Sequence, residues 1–440
     1  MQKPDKYTAL AIFNAAVKAV QPSVLIPAHL QLKDDVLLID GKNMPLKEYD
    51  GVYVLSVGKA ASAMALEAEK ILGTHIAAGL VVTKYEHSLP LRYCQTIEAG
   101  HPVPDENSWL AAINILSFLQ PLTQHSLLLC FISGGASALI ADVADGITLH
   151  DVQTLSKLLL QCGADIHEIN TVRKHISYLK GGQLVNLAKG AAVFTFIISD
   201  VQGDDMSIIA SGLTVADPST FIDAWSVLEK YALVDKVPAA IKTRLLNGID
   251  NLIEERPKPG SPAFTKVYNY VIGNNQVALN AAALQATLLG LTVLQVDDLL
   301  NGEARDAAAK FVQLLLNYKG NKPACILAGG ETTVTIKGNG KGGRNQEFVL
   351  ACLIELMKLD MLETDFPVIL SGGTDGTDGP TTAAGAVIDI NFFKHINKSA
   401  INTENYLLNN NSFAFFEPLN ALIDTGATQT NVMDILIAII

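Results

Sequence analysis

A set of glycine-rich turns, each beginning where a hydrophobic run ends, constrains this chain most. The main ones read CFISGGASAL, ILAGGETTV, KGNGKGGRNQE and VILSGGTDGTDGP. A buried strand, then two glycines, then small hydroxyl or acidic residues is how an α/β protein offers bare backbone N–H groups to a phosphate. Glycine allows close approach, and a following helix N-terminus adds a favourable dipole. None of the turns matches GxGxxG or GxxxxGK[ST]. The pattern implies phosphate handling by neither common solution.

The length of 440 residues suggests two or three domains at about 150 residues each. Hydrophobic residues make up 49% and charged residues 17%, enough apolar surface for a large core and too little charge for disorder. The net charge of −12 argues against non-specific nucleic-acid binding and against an anionic membrane surface. The five cysteines, Cys94, Cys130, Cys162, Cys325 and Cys352, form no CxxC and read as buried free thiols in a reducing compartment. Met1–Asp5 opens no signal-peptide stretch. Apolar runs such as 127–132 fall short of the roughly 20 residues of a membrane span. The expectation is a soluble cytoplasmic protein.

Runs 52–57, 79–83, 127–132 and 193–198 are continuous and rich in β-branched residues, as in a parallel sheet covered on both faces. Helical patterns alternate with them at 60–72 and at 107–119, the latter opened by Asp105 and Glu106. Proline, glycine and charge cluster in EERPKPGSPA, residues 254–263, which reads as a linker. A second alternation follows, with strands at 267–272, 292–296, 324–328 and 368–370 and helices near 276–288, 304–316 and 346–356. The tail 435–440 reads as a final buried strand or a helix end. The fold class is α/β, with domains at 1–255 and 263–440. Strand C-termini, where ligands bind in such sheets, are expected to face a cleft between the two.

Lys59, in VGKA, follows a strand at a helix start, so it either points at an anion or is an ordinary surface lysine. His101, in GHPVPDE, either touches ligand or sits in a structural loop capped by Asp105. Ser133, Gly134, Gly135 and Ser137 form a candidate phosphate cradle after the most hydrophobic strand of the N-terminal half. The positive charge of Asn170-Thr171-Val172-Arg173-Lys174-His175 and of Lys180 fits a basic pocket wall and a solvated helix face equally. Asp200, Asp204 and Asp205 suit Mg²⁺, which takes oxygen ligands, or a capped loop. Arg344 arrives on a glycine run at a helix start, and its planar fork suits a carboxylate or phosphate. Gly372, Gly373 and Thr374 form a second candidate cradle, with Asp375 and Asp378 beside it as phosphate or metal residues.

Together and in order, VGKA, GHPVPDE, NTVRKHIS…KGGQL, ISDVQGD, GGRNQE, SGGTDGTDGP and NVMD resemble the glycerate 2-kinases of the MOFRL family, over nearly the whole chain. The resemblance implies transfer of the ATP γ-phosphoryl group to the 2-hydroxyl of D-glycerate with a divalent metal, Mg²⁺. It implies catalytic roles for Lys59 and Arg344 and makes Asp200 a site residue. It also implies a larger Rossmann-like domain and a smaller C-terminal α/β domain, with the active site in the cleft between them. Asp200 and Asp375 are the candidate metal ligands. The expected partners are glycerate and nucleotide, with no nucleic acid and no membrane, in a monomer or homodimer.

Two departures stand out. SGGASAL carries Ala136 where a third glycine is more usual, which would loosen nucleotide binding if that position needs a positive φ. TGATQTNVMD carries Ala427 and Gln429 in place of a proline and a glycine. Competing readings are a hydroxypyruvate reductase, a kinase of another small hydroxy acid, and a non-catalytic sensor of a phosphorylated metabolite. The reductase needs a nicotinamide site, and SVGKAA lacks its glycine spacing. A pure sensor has no need of metal-type carboxylates beside a phosphate cradle.

Overall fold

A computed structural model describes residues 4–359, 366–399 and 401–440; Met1–Lys3 of the N-terminal reading lie outside the described residues. The chain forms two compact units, Leu25–Ile272 and Met1–Val24 with Gly273–Ile440. These limits differ from 1–255 and 263–440 at both ends. Helix α1 (Lys6–Ala19) buries Ala9, Ile12, Phe13, Ala16 and Val17 and packs within the C-terminal unit. The proline-rich segment is anchored in the first unit. Arg256 is 2% exposed and donates to the His175 carbonyl at 3.0 Å, and the Asp217 amide donates to the Pro257 carbonyl.

The first unit holds six strands: β1 (Gly51–Val57), β2 (Ile76–Lys84), β3 (Cys94–Ala99), β4 (Ser126–Ile132), β5 (Ala192–Ile198) and β6 (Val267–Gly273). Their spatial order is β3-β2-β1-β4-β5-β6, and β1 to β5 pair in parallel. This is the strand order of the dinucleotide-binding doubly wound fold. Every residue of β4 and β5 is buried, which explains their uninterrupted apolar sequences. Strand β6, expected in the second alternation, is instead the edge of this sheet. Strand β3 was not expected, because CQTIEA is half exposed and polar. A small antiparallel sheet of Leu30–Lys33, Val36–Ile39 and Lys42–Pro45 was also unforeseen. Helices α2 (Ala61–Leu72) and α3 (Glu106–Leu119) follow β1 and β3, and Asp105 caps α3 with a capping box. The short α4 (Ala136–Leu139), α5 (Leu149–Gln161) and α6 (Ile166–His175) follow β4.

The C-terminal unit is a smaller α/β body with a mixed sheet. Its strands are β7 (Thr292–Leu300), β8 (Ala324–Gly330), β9 (Val368–Gly373), β10 (Gly385–Ile388), β11 (Leu422–Ile423) and β12 (Asp434–Ile439). Their order is β7-β8-β12-β9-β10-β11; β7 and β8 are parallel and the other pairs antiparallel. The tail is therefore a strand, β12, buried along its whole length between β8 and β9. Helices α7 (Asn275–Leu288), α8 (Ala304–Asn317) and α9 (Arg344–Met357) cover the sheet. Phe311, Phe348, Phe415 and Phe416 lie in its core.

Gln429, at a usual glycine position, stands in the left-handed region at φ 61, which costs a non-glycine residue about 1 kcal/mol. The flanking threonines hold the loop: Thr428 Oγ1 donates to the Thr374 carbonyl and Thr430 Oγ1 to the Val20 carbonyl, both at 2.6 Å. All five cysteines are unpaired thiols, and only Cys162 is incompletely buried. Among the described residues no single helix is long and apolar enough to cross a membrane.

Gly372 lies inside β9, and a methyl group there would come within 2.9 Å of the Phe13 ring of α1. Gly372→Val should overpack this contact and lower stability by about 1–3 kcal/mol, read by denaturant unfolding. Its ATP affinity by calorimetry should be unchanged; a cradle role would give the reverse.

Candidate active site

Three neighbouring parallel strands end together in the first unit, and each is followed by predicted site residues. Lys59 follows β1, Ser133 to Ser137 follow β4, and Asp200 follows β5. The strand order β3-β2-β1-β4 reverses between β1 and β4, the place where open α/β sheets bind ligands. The two turns there are joined directly. The Lys59 amide donates to the Gly134 carbonyl at 3.0 Å, and the Ala60 amide donates to Ser133 Oγ at 3.0 Å. Thr83 Oγ1, from the end of β2, donates to the Gly58 carbonyl at 3.1 Å.

Ser133, expected as part of the phosphate cradle, is 1% exposed, and its hydroxyl clasps the lysine turn. Gly134 is required by Asp200: any side chain at Gly134 would overlap the Asp200 carboxylate. Gly135 takes the left-handed conformation, φ 84, at the cap of α4. The positive φ thus falls on Gly135 and not on Ala136, which begins the helix with its methyl in the core. The expected penalty at Ala136 does not arise. The amides of Gly134, Gly135, Ala136 and Ser137 have no acceptor among the described residues, leaving four consecutive donors for an anion.

Gly134, Gly135, Ser137, Asp200 and His101 line a cavity of about 850 Å³. The half-exposed Lys59 packs beside Gly135 and His101, and its ammonium has no partner among the described residues. Burial, with Lys59 and Lys84 nearby, holds the His101 imidazole down at about 4. His101 is therefore neutral near pH 7.

The basic motif is neither wall nor solvated face throughout. Lys174 pairs with Asp217 at 3.4 Å, both buried, and Lys180 pairs with buried Asp142. His175 is enclosed, and its carbonyl receives Arg244 and Arg256. Only Asn170, Arg173 and the paired Lys180 reach the cavity lining. Asp205 Oδ1 accepts from the Ser207 amide at 2.8 Å, so it serves its loop.

In the C-terminal unit, Asp434 opens β12 opposite Gly330 and Gly373, the last residues of β8 and β9. Arg344, first residue of α9, donates to it from Nε at 2.5 Å and from Nη2 at 2.9 Å. Its Nη1 lies 2.9 Å from Glu331. Burial opposes charge on Arg344, but the fork to Asp434 outweighs it and raises the pKa. Asp378 accepts from the amides of Asn345 and Gln346 at 3.1 and 2.9 Å, which fixes the start of α9. Burial pushes the Asp378 carboxyl up to about 7, with the Asp434 charge adding to the rise.

The glycine run before Arg344 is held. Asn410 Oδ1 accepts from the Lys337 and Gly338 amides, Asn409 Oδ1 from Asn339, and Asn411 Oδ1 from Lys341. The second cradle is closed in the structure. The Gly373 amide donates to the Ala384 carbonyl and the Thr374 amide to the Met433 carbonyl. Thr374 Oγ1 donates to the Met433 carbonyl and accepts from the Val432 amide. Gly372, Gly373 and Thr374 are thus structural as placed. Asp375 Oδ1 accepts from both the amide and the hydroxyl of Thr377. Among the described residues no three His, Cys, Asp or Glu side chains gather as a metal-holding group.

A domain of unknown function, DUF4147, matches residues 8–246, and the MOFRL family matches residues 324–434. A glycerate 2-kinase of Pyrococcus horikoshii is 40% identical over 98% of this chain and 96% of its own length. The chain belongs to the glycerate 2-kinase family. The crystal structure of a glycerate kinase from Thermotoga maritima superimposes with a TM-score of 0.85 at 36% identity, covering 99% of each chain. A putative hydroxypyruvate reductase of Agrobacterium vitis is also 40% identical, over 87% of this chain and 97% of its own length. The sequence motifs thus identified the family. They did not assign Asp434, Glu331 or Asn170, although NVMD, GGETT and NTVRKH contain them.

The Asp378 shift gives a pH prediction. A raised carboxyl pKa contributes stability below its unfolded value near 3.9 and loses it as pH rises through about 7. The stability of the wild type relative to Asp378→Asn should fall between about pH 4 and about pH 7.5. A difference that is flat across this range in parallel denaturation curves would contradict the shift.

Proposed function

We propose that this chain transfers the γ-phosphoryl group of ATP to the 2-hydroxyl of D-glycerate, giving ADP and 2-phosphoglycerate. The observation that carries the reading is the junction of the β1 and β4 turns. Four unengaged amides and one unpartnered ammonium belong to these bonded turns, and the Asp200 carboxylate packs against Gly134. Phosphoryl transfer asks a protein for positioning and charge neutralisation more than for covalent chemistry. The four amides suit phosphate oxygens, and Lys59 neutralises charge that grows during transfer. Asp200, packed against Gly134, is the candidate either to orient the attacking hydroxyl or to hold Mg²⁺. Neutral His101 adds no positive charge beside Lys59 and can share a hydrogen bond with a reactant.

Mg²⁺ supplies charge neutralisation between nucleotide phosphates when bound. It takes only one or two protein carboxylates, and Asp200 beside the amide turn fits as one. Asp375, in the other unit, accepts from Thr377. Arg344, given a catalytic role by the resemblance, has its fork held by Asp434 and its Nη1 2.9 Å from the half-exposed Glu331 within the C-terminal unit. A reductase is disfavoured by chemistry: the β1 turn places a lysine where a dinucleotide site needs bare glycine backbone.

The test is an assay with ATP, Mg²⁺ and D-glycerate coupled to enolase. Phosphoenolpyruvate should form without phosphoglycerate mutase; formation only with mutase would mean 3-phosphorylation and contradict the reading. Lys59→Ala should lower kcat by about 10²–10³-fold with little change in Tm. A folded variant of near wild-type kcat would remove Lys59 from the chemistry.

A further inference from the structure

Asn170 is a buried amide whose two ends differ. It lies on α6, is 3% exposed, and lines the 850 Å³ cavity. Its Oδ1 accepts from Ser211 Oγ at 2.9 Å. Ser211 Oγ lies 3.0 Å from Ser137 Oγ. Ser211 spends its proton on Asn170, so Ser137 donates to Ser211. This relay ties the amide to the post-β4 turn and fixes which end faces it. The other end, Nδ2, has no hydrogen-bond partner. A buried donor left unmade costs about 1–3 kcal/mol, and a bound group in the cavity that Asn170 lines would remove that cost.

The surroundings specify that group. Arg173, three residues on and so on the same helix face, also lines the cavity. Its guanidinium reaches Ser156 Oγ at 3.4 Å and has no ion pair among the described residues. The neighbouring lysines Lys174 and Lys180 are neutralised by Asp217 and Asp142. The donors that α6 turns to the cavity without a charge partner are thus one neutral amide and one cation, and Lys157 of α5 adds a second cation to the lining, which suits an anionic oxygen.

We propose that Asn170 is a binding residue that donates from Nδ2 to an anionic oxygen of a bound reactant, oriented by the Ser137–Ser211 relay and assisted by Arg173. The inference rests on the kinase reading for the identity of the reactants. Either the glycerate carboxylate or a nucleotide phosphate supplies such an oxygen, and kinetics separates them.

The experiment compares wild type, Asn170→Asp and Ser211→Ala by initial rates, varying D-glycerate and ATP independently. Asn170→Asp keeps shape and the Ser211 bond but turns the donor into an anion. It should raise the KM of one reactant at least about tenfold, with kcat and the other KM changed far less. A rise for D-glycerate assigns the carboxylate; a rise for ATP assigns a phosphate. Ser211→Ala should raise the same KM by less. Unchanged KM values, or a uniform loss of kcat alone, would overturn the proposal. If Asn170→Asp does not fold, Asn170→Ala is read in the same way. If the wild type turns over no glycerate, the kinase reading fails separately. Calorimetry with ATP and with inorganic phosphate then decides, a tenfold weakening in the variant supporting the role and equal affinity refuting it.

Discussion

The hydrogen bond from the Lys59 amide to the Gly134 carbonyl is where the architecture of the first unit becomes chemistry. A backbone bond of this kind contributes only about 0.5–1.5 kcal/mol. Its importance is geometric, because it fastens the turn after β1 to the turn after β4 at the point where the strand order reverses. Ser133 adds a second bond between the same turns. With both in place, the lysine, the four unengaged amides and the Asp200 carboxylate share one edge. The absence of a side chain at Gly134 then decides how close Asp200 can come.

The C-terminal unit solves a different problem. Its charged groups are held against one another before any ligand binds. Asp434 sits between the ends of β8 and β9, and Arg344 grips it with two bonds. Each residue of Arg344-Asn345-Gln346-Glu347 has its own partner. Asn345 receives Ser371 Oγ, Gln346 reaches Thr381, and Glu347 pairs with Arg305. Asn409, Asn410 and Asn411 clip the preceding glycine run. A loop that would otherwise cost conformational entropy on ordering is thereby fixed in the free protein, so Arg344 is preorganised.

Much of this was legible because burial on both faces leaves an uninterrupted apolar sequence. That made β1, β2, β4 and β5 readable, and the glycine and lysine punctuation at their ends marked Lys59, Gly134, Gly135 and Asp200 as candidates. Strand β3 escaped because an edge strand needs no apolar run. The domain limits escaped because an amphipathic helix such as α1 announces a buried face without naming its partner. The proline cluster at 254–263 looked like a linker, yet Arg256 within it is buried against His175. In the site, Ser133 and Thr374 were misread for one reason: a sequence shows a hydroxyl beside glycines but not whether the backbone already claims it. Asn170 was hidden in a run read for its charge.

The space at Gly134 seats Asp200 against the amide turn after β4. Gly134→Ala tests it most directly, by kcat for D-glycerate phosphorylation alongside far-UV circular dichroism. The account predicts a folded protein whose kcat falls by about 10²-fold or more, because the methyl must displace the carboxylate. A folded variant with near wild-type kcat would contradict it.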